Sequence, residues 1–411
     1  MNHQGPLFDS LPERLSSSRP LSQARVIGLF AGIGGIELGL HQAGHSTAMV
    51  CEIEPTAQAV LRHHFPEVPL VADIREIDRL PPAEIIAGGF PCQDLSQAGK
   101  TAGITGSRSG LVAEVFRLLE DCSSDLRYLL LENVPFMLHL DGGQAMRFLT
   151  RSLEDMGFAW AYRTVDTRSF GLPQRRQRVI LLASRTDDPC SVLFADQAAP
   201  PLETHHRGLA CGFYWTEGIK GLGWAVNAVP TLKGGSTIGI PSPPAIWLPD
   251  GRIVTPEIRD AERMQGFPAD WTLPALTVQG AKRGSRWKLV GNAVSVPLTR
   301  WIGERLSRPV PYRPDADVEL PLEARWPSAA WGSAGRVFAT GHSLWPLPRP
   351  DIQLESFLQY PPVPLSARAT AGFLERTRRG TLHFPTGFLA AVEAHLERVS
   401  TPGGGGAQAV A

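Results

Sequence analysis

The chain has 411 residues, 43% of them hydrophobic, and its 40 basic and 40 acidic side chains cancel. That length suits two or three domains with a substantial core, and the balanced charge excludes a chain that is basic or acidic throughout. The five scattered cysteines form no C-x-x-C pair, which argues against a disulfide scaffold or a zinc site and fits a reducing cytoplasm. The polar N-terminus has no signal-like apolar core, and no run of about 18 uncharged apolar residues predicts a membrane span.

Residues 1–23, rich in Ser and Pro, read as a loose arm. Short apolar runs then alternate with helical patterns. Strands are expected at 25–30, 46–54, 69–73, 83–90, 127–134, 160–167 and 178–185. Helices are expected at 35–44, 55–65 (with Pro55 in its first turn), 109–122 and 142–158. This rhythm predicts an α/β domain over 24–185 with a mainly parallel sheet. The last two strands lack a long helix between them and predict an antiparallel hairpin at one edge. The rhythm breaks after Arg185: residues 186–254 are rich in Gly, Pro, Trp and Thr and read as part of a smaller domain, 186–286. A helical stretch follows at 255–267. "WKLVGNAVSVPLTRWIGERL" (287–306) predicts a strand, a turn and a helix that complete the first domain. Residues 309–411 form an extension, with a final helix over 385–399 and a Gly-rich tail.

The chemistry-bearing groups gather at the predicted carboxyl ends of strands. "LFAGIGG" ends the first strand, and Gly32, Gly34 and Gly35 permit a tight turn and close approach of a ligand to the following helix. Glu52 ends the second strand, 20 residues after Gly32, where a carboxylate can accept from ribose hydroxyls. Asp73 ends the third, where it can meet an adenine amino group. The loop lacks the Gly-Lys-Ser/Thr ending of a phosphate cradle, which favours an adenosyl ligand without phosphates. "GGFPCQDLSQAG" (88–99) puts Cys92 just past the fourth strand, and a polar, Gly-rich loop follows it. Free cysteines are more often inert core residues, but this neighbourhood suits a core poorly. "LENV" brings Glu132 to the same edge, a carboxyl at the end of a buried strand and suited to donating a proton. "GLPQRRQRVILL" sets Arg176 and Arg178 on one face of a strand, where two guanidiniums can hold a phosphate or a carbonyl oxygen. "GNAV" puts Asn292 at a helix cap or against a cofactor.

Taken in order, "FAGIGG", Glu52, Asp73, "GGFPCQDLSQAG", "LENV", "QRRQR", "TPEIRDAERMQGFP" and "GNAVSVP" resemble the bacterial DNA cytosine-C5 methyltransferase family over residues 25 to about 305. The resemblance implies a doubly wound, mostly parallel, Rossmann-like α/β fold that uses S-adenosylmethionine, with 186–286 as target-recognition domain. It implies Cys92 as the nucleophile on cytosine C6 and Glu132 on N3 and the exocyclic amine. Arg178 and Arg176 would meet the base carbonyl or a nearby phosphate. In the cofactor pocket, Phe30 would stack on adenine, with Glu52 on the ribose and Asp73 on the adenine amine. Gly32, Gly34, Gly35, Ile74, Pro91 and Asn292 complete that pocket. Gln93, Ser96, Arg108 and Thr231 would touch DNA, with Arg207, Trp215, Lys220, Trp224 and Lys233 as further candidate contacts.

The partners implied are double-stranded DNA and, for a restriction-modification or phage-defence role, a cognate endonuclease or other defence proteins. The expected state is a cytoplasmic monomer. The alternatives are an RNA cytosine-C5 methyltransferase on the same fold, a catalytically silent DNA-recognition module and a redox thiol protein. "DLSQAG" favours the DNA branch over the first. The presence of Cys92 and Glu132 disfavours the second, and the lack of a resolving cysteine near Cys92 disfavours the third.

Overall fold

In the computed structural model, residues 18–90, 110–122, 125–202, 208–234 and 241–401 are described. Five parallel strands, β1 (Arg25–Leu29), β2 (Ser46–Cys51), β3 (Leu70–Val71), β4 (Ile85–Gly88) and β5 (Tyr128–Asn133), lie in the order β3-β2-β1-β4-β5. The order reverses between β1 and β4, the position at which open α/β sheets bind ligands beyond their carboxyl ends. These strands are apolar at nearly every position because both sheet faces are covered. On one face Tyr128 and Leu130 of β5 pack with Leu40, Trp301 and Ile302 from the helices Gly35–Gln42 and Val296–Ser307. On the other, Leu129 and Leu131 pack with Phe116 and Leu149 from the helices Leu111–Glu120 and Gln144–Asp155. Each leucine so buried contributes roughly 1.5–3 kcal/mol.

Beyond β5 come β6 (Ala159–Asp166), β7 (Gln174–Arg175) and β8 (Gln177–Ser184). The expected hairpin is present: β6 and β8 are antiparallel, with β8 antiparallel to β5. It does not form the sheet edge. The smaller sheet uses β9 (Cys211–Phe213), β10 (Ala225–Val226), β12 (Ala245–Trp247) and β13 (Ile253–Thr255), while β11 (Val229–Pro230) pairs with β7. Then β14 (Val318–Glu319), β15 (Ala329–Ser333) and β16 (Arg336–Ala339) extend the large sheet past β6, giving ten strands among the described residues. Finally β17 (Val363–Pro364) pairs with β13, and the helices Ala367–Arg379 and Phe388–Ser400 bury Phe373 and Phe388 against Phe213. Strands from the described residues beyond 309 therefore join both sheets.

The strand expected at the start of 287–306 is the end of a helix, Arg283–Asn292. Its short apolar run carries no period that separates strand from helix. Helical geometry turns Leu289 into the core beneath the first glycine loop and Val290 into that of the smaller domain. No helix among the described residues is long and apolar enough to cross a membrane.

Glu37, in the first helix, is wholly buried with neither carboxyl oxygen hydrogen-bonded. A Cβ on Gly28 would lie 1.9 Å from its Oε1, so only glycine leaves room for it on β1. Burial, aided by repulsion from Glu52, pushes its pKa up to about 7. The folded state therefore holds the proton more tightly than the unfolded chain does. Its contribution is complete below about pH 4.5 and is lost as pH rises through about 7. At pH 8 this amounts to on the order of 3 kcal/mol. Glu37→Gln, which cannot ionise, is expected to gain stability relative to the parent between pH 5 and 8, read by urea unfolding at each pH. A pH-independent difference would show that Glu37 does not titrate there.

Candidate functional site

The centre of the site is where β5 meets β8. Glu132 stands opposite Ile180 in the antiparallel register, and Arg178 lies two residues along on the same face. The Arg178 Nε is 2.7 Å from Glu132 Oε1, and both side chains are about nine-tenths buried. Burial pulls the Arg178 pKa down while the Glu132 carboxylate opposes the shift. The chain leaving β4 passes directly beside this pair. A Cβ on Gly89 would sit 3.1 Å from Glu132 Oε2, and Asn133 Nδ2 donates to the Phe90 carbonyl at 3.0 Å. Pro91, Cys92, Gln93, Ser96 and Arg108 lie outside the described residues, and so does Arg207.

Arg176, expected at the base carbonyl or a nearby phosphate, lines the inner cavity with Arg178, but its terminal nitrogens are taken up by backbone carbonyls. It is fully buried, and its terminal nitrogens donate to the carbonyls of Leu232 (3.2 Å), Gly291 (3.2 Å) and Ala293 (2.7 Å). Burial, then repulsion from Arg178, holds its pKa well below the usual arginine value. The side chain thus ties the strand before β8 to two other walls of the site. Gln174 does the same without charge: its Nε2 donates to Met264 O (3.0 Å) and its Oε1 accepts from Leu232 N (2.9 Å). The sequence reading missed Gln174, although it opens the "QRRQR" block.

A cavity of about 480 Å³ runs from this pair to the glycine loop, lined among others by Phe30, Gly32, Glu52, Leu289 and Asn292. Phe30 has φ 54°, a left-handed conformation rare for a bulky residue. Glu52 holds the loop open: its carboxylate accepts from Gly32 N (2.7 Å) and Glu54 N (2.8 Å). Of the three loop glycines only Gly32 lines the cavity. A Cβ on Gly34 would meet the Phe65 ring at 2.6 Å, and one on Gly35 would meet Val294 O at 2.2 Å, so both serve packing. Asp73 and Ile74 do not line it either. Asp73 caps the following turn and binds Arg75, which holds its pKa low, and Ile74 is core. Across the cavity Lys288 reaches Glu54 at 2.5 Å, a pair with no signal in the sequence pattern.

A second, more open cleft of about 610 Å³ shares Val134, Arg178, Gly291 and Asn292 with the first. It is lined on its other side by Arg175, Tyr214, Thr231 and Lys233. Thr231 Oγ1 donates to Arg175 O (2.9 Å), and its own carbonyl accepts from Tyr214 (2.7 Å). Lys233 sits 3.6 Å above the Tyr214 ring and 2.8 Å from Glu217. Trp215 and Trp224, candidate nucleic-acid contacts in the sequence, line neither cavity and pack in the smaller domain. Trp224 lies 5.2 Å from Phe388, and Trp215 Nε1 donates to Pro243 O. Lys220 lines neither cavity.

Removing one member of the central pair strands the other as a buried charge. Arg178→Met should cost about 3–5 kcal/mol in urea unfolding. Arg178→Met/Glu132→Gln should recover most of that loss. Equal stability of the single and double variants would show that the pair is not coupled.

A profile described as C-5 cytosine-specific DNA methylase matches residues 24–208. The Type II methyltransferase M2.BsuMI of Bacillus subtilis (strain 168) is 51% identical over 385 residues, covering 91% of this chain and 98% of that protein. That similarity is too long to stop at residue 308, so it includes part of the C-terminal extension. The Type II methyltransferase M.MspI of Moraxella is 27% identical over 309 residues, 70% of this chain and 71% of that one. The solved structure of the Entamoeba histolytica methyltransferase EhMeth aligns with TM-score 0.48 and 15% identity, over 70% of this chain and 98% of that one. With half its residues identical across nearly the whole of a Type II methyltransferase, the chain belongs to the C-5 cytosine-specific DNA methylase family and is a DNA (cytosine-5) methyltransferase.

Proposed function

We propose that this protein methylates C5 of a cytosine extruded from double-stranded DNA, through a covalent bond between Cys92 and C6, with S-adenosylmethionine as methyl donor. The observation that carries the reading is the buried Glu132–Arg178 pair beside the chain that leads into Cys92. A stacked cytosine cannot present C6 to a side chain, so the base must leave the duplex. The open cleft meets the inner cavity at Arg178 and Asn292, which gives such a base a route inward.

Cytosine C5 is a poor nucleophile. Addition of the Cys92 thiolate to C6 forms the S–C6 bond and moves the ring electrons toward C5. The Glu132 carboxyl, protonated when the base binds, gives its proton to N3 and accepts from the exocyclic amine. Arg178, bound to Glu132, faces the base carbonyl. After C5 has gained its methyl group it gives its proton to a water molecule, N3 returns its proton to Glu132, the S–C6 bond breaks and the thiolate leaves. A free thiol has a pKa of about 8.5, so proximity must assist a partly ionised Cys92. The other cysteines are poor candidates. Burial pushes the thiols of Cys51 up to about 12 and Cys211 to about 11, raises that of Cys190, and leaves Cys122 Sγ bonded to Leu119 O.

The inner cavity fits the methyl donor, which supplies an activated methyl group on a cationic sulfur. Acidic Glu52 and Glu54 stand beside apolar Phe30, Ile33 and Leu289, and nothing lies within 4 Å of where a Gly32 side chain would be. Phe30 would pack on the flat heterocycle and Glu52 would accept from the ribose hydroxyls. Asn292 would close the pocket. The relatives named Type II methyltransferases support a restriction-modification setting, alongside a cognate endonuclease, and favour DNA over RNA as substrate.

The test is transfer of labelled methyl groups from S-adenosylmethionine to duplex DNA and to tRNA. The parent protein should label DNA alone and Cys92→Ala neither. Glu132→Gln should be slower by roughly 10²–10⁴-fold. Labelling of tRNA by the parent protein, or of DNA by Cys92→Ala at the parent rate, would overturn the reading.

A further inference from the structure

The turn 214–222 of the smaller domain forms part of the open cleft. Tyr214 lines the cleft with the Lys233 ammonium over its ring, and Glu217 pairs with the same ammonium. The turn closes through Tyr214 N to Leu222 O (2.9 Å) and Gly218 N to Gly221 O (2.9 Å). A loop places its side chains less precisely than a helix or strand unless something rigid holds it. Here the helix Ala367–Arg379 holds it. Arg376 Nε donates to Glu217 O (3.1 Å), and its Nη2 donates to Trp215 O (2.6 Å). One planar guanidinium fork thus spans two peptide groups of the turn. Packing adds to this grip. Phe213, the residue before Tyr214, meets Phe373 with ring centroids 5.2 Å apart. Gly218 has φ 119°, and a Cβ there would lie 3.2 Å from the Phe373 ring and 3.3 Å from Thr377. At the end of the helix, a Cβ on Gly380 would lie 2.8 Å from Gly218 O. Phe373, Arg376 and Thr377 line neither cavity, so the helix acts on the cleft only through the turn.

We infer that Arg376 is a positioning residue for DNA engagement: it aims the turn that carries Tyr214 and Glu217, and through them Lys233, at the DNA entering the cleft. The inference rests on the DNA-methylating reading above. It gives a helix of the C-terminal extension a part in the reaction. Arg376 touches neither the Glu132–Arg178 pair nor the inner cavity, so its loss leaves the chemistry at C5 and the methyl-donor pocket in place. Lost binding without slower chemistry appears as a raised KM for DNA at unchanged kcat.

The experiment measures initial rates of methyl transfer by the full chain, with unmethylated genomic DNA and S-adenosylmethionine varied in turn. Arg376→Met keeps the apolar stem and removes the donors. Its KM for DNA should rise severalfold, while kcat and the KM for S-adenosylmethionine stay at parent values. Arg376→Lys, a point charge in place of the fork, should recover part of the rise. Gly218→Ala pushes the turn off Phe373 and Thr377 without removing a charge, and should raise the same KM. Arg378→Met removes an exposed charge from the same helix, 3.9 Å from Glu393, and should match the parent. Thermal unfolding checks that each variant folds; if Arg376→Met does not, Arg376→Lys and Gly218→Ala carry the test. A parent-like KM for DNA in the folded variants, a fall in kcat alone, or an equal rise in Arg378→Met would overturn the inference. A parent protein that transfers no methyl group to DNA would instead overturn the proposed function on which it rests.

Discussion

Glu132 and Arg178 are opposite charges withdrawn from water and held 2.7 Å apart where β5 ends against β8. Such a pair needs a rigid surround, because the attraction offsets the loss of hydration only when the geometry is held. Much of the architecture around it supplies that rigidity. The antiparallel register of β5 and β8 places both residues on one face. Leucines packed on both sides of the sheet fix that register against slippage. The parallel half then brings the glycine loop, Glu52 and the exit of β4 to the same edge.

The smaller domain is joined to this edge by buried polar groups as well as by apolar packing. Arg176 spans three carbonyls, from Leu232 to Ala293, and Gln174 and Gln265 extend the seam to Met264, Val290 and Ser295. A seam of this kind holds direction as well as distance, since each bond fails when its partner rotates away. It keeps Thr231 and Tyr214 across the open cleft from Arg178. The C-terminal residues reinforce both sides separately, adding β14–β16 to the large sheet and the Phe373–Phe388 cluster to the small one.

The parallel half was legible in the sequence because buried strands of this kind read as continuous apolar runs ended by turn residues, as at "RVIGLF" and "RYLLLENV". The residues that meet at its carboxyl edge were legible for the same reason, since strand ends are marked in sequence. The helix Arg283–Asn292 was not, because its short apolar run carries no period and two separate cores decide its geometry. Arg176 shows a subtler limit. Alternation placed it on the same side as Arg178, but only the fold brings Leu232, Gly291 and Ala293 close enough to occupy it. Likewise nothing in the sequence near Trp215 and Trp224 shows that both pack against the cluster that includes Phe388, more than 160 residues later.

The central claim is that Cys92 bonds to a cytosine lying against Glu132 and Arg178. Its most direct test uses duplex DNA in which cytosine is replaced at random by 5-fluorocytosine. Fluorine cannot leave C5 as a cation, so the S–C6 bond, once methylated, has no route to break. In the presence of S-adenosylmethionine the parent protein should form a complex with this DNA that survives denaturing electrophoresis, and Cys92→Ala should form none. A denaturation-stable complex with Cys92→Ala, or none with a parent protein that methylates ordinary DNA, would contradict the account.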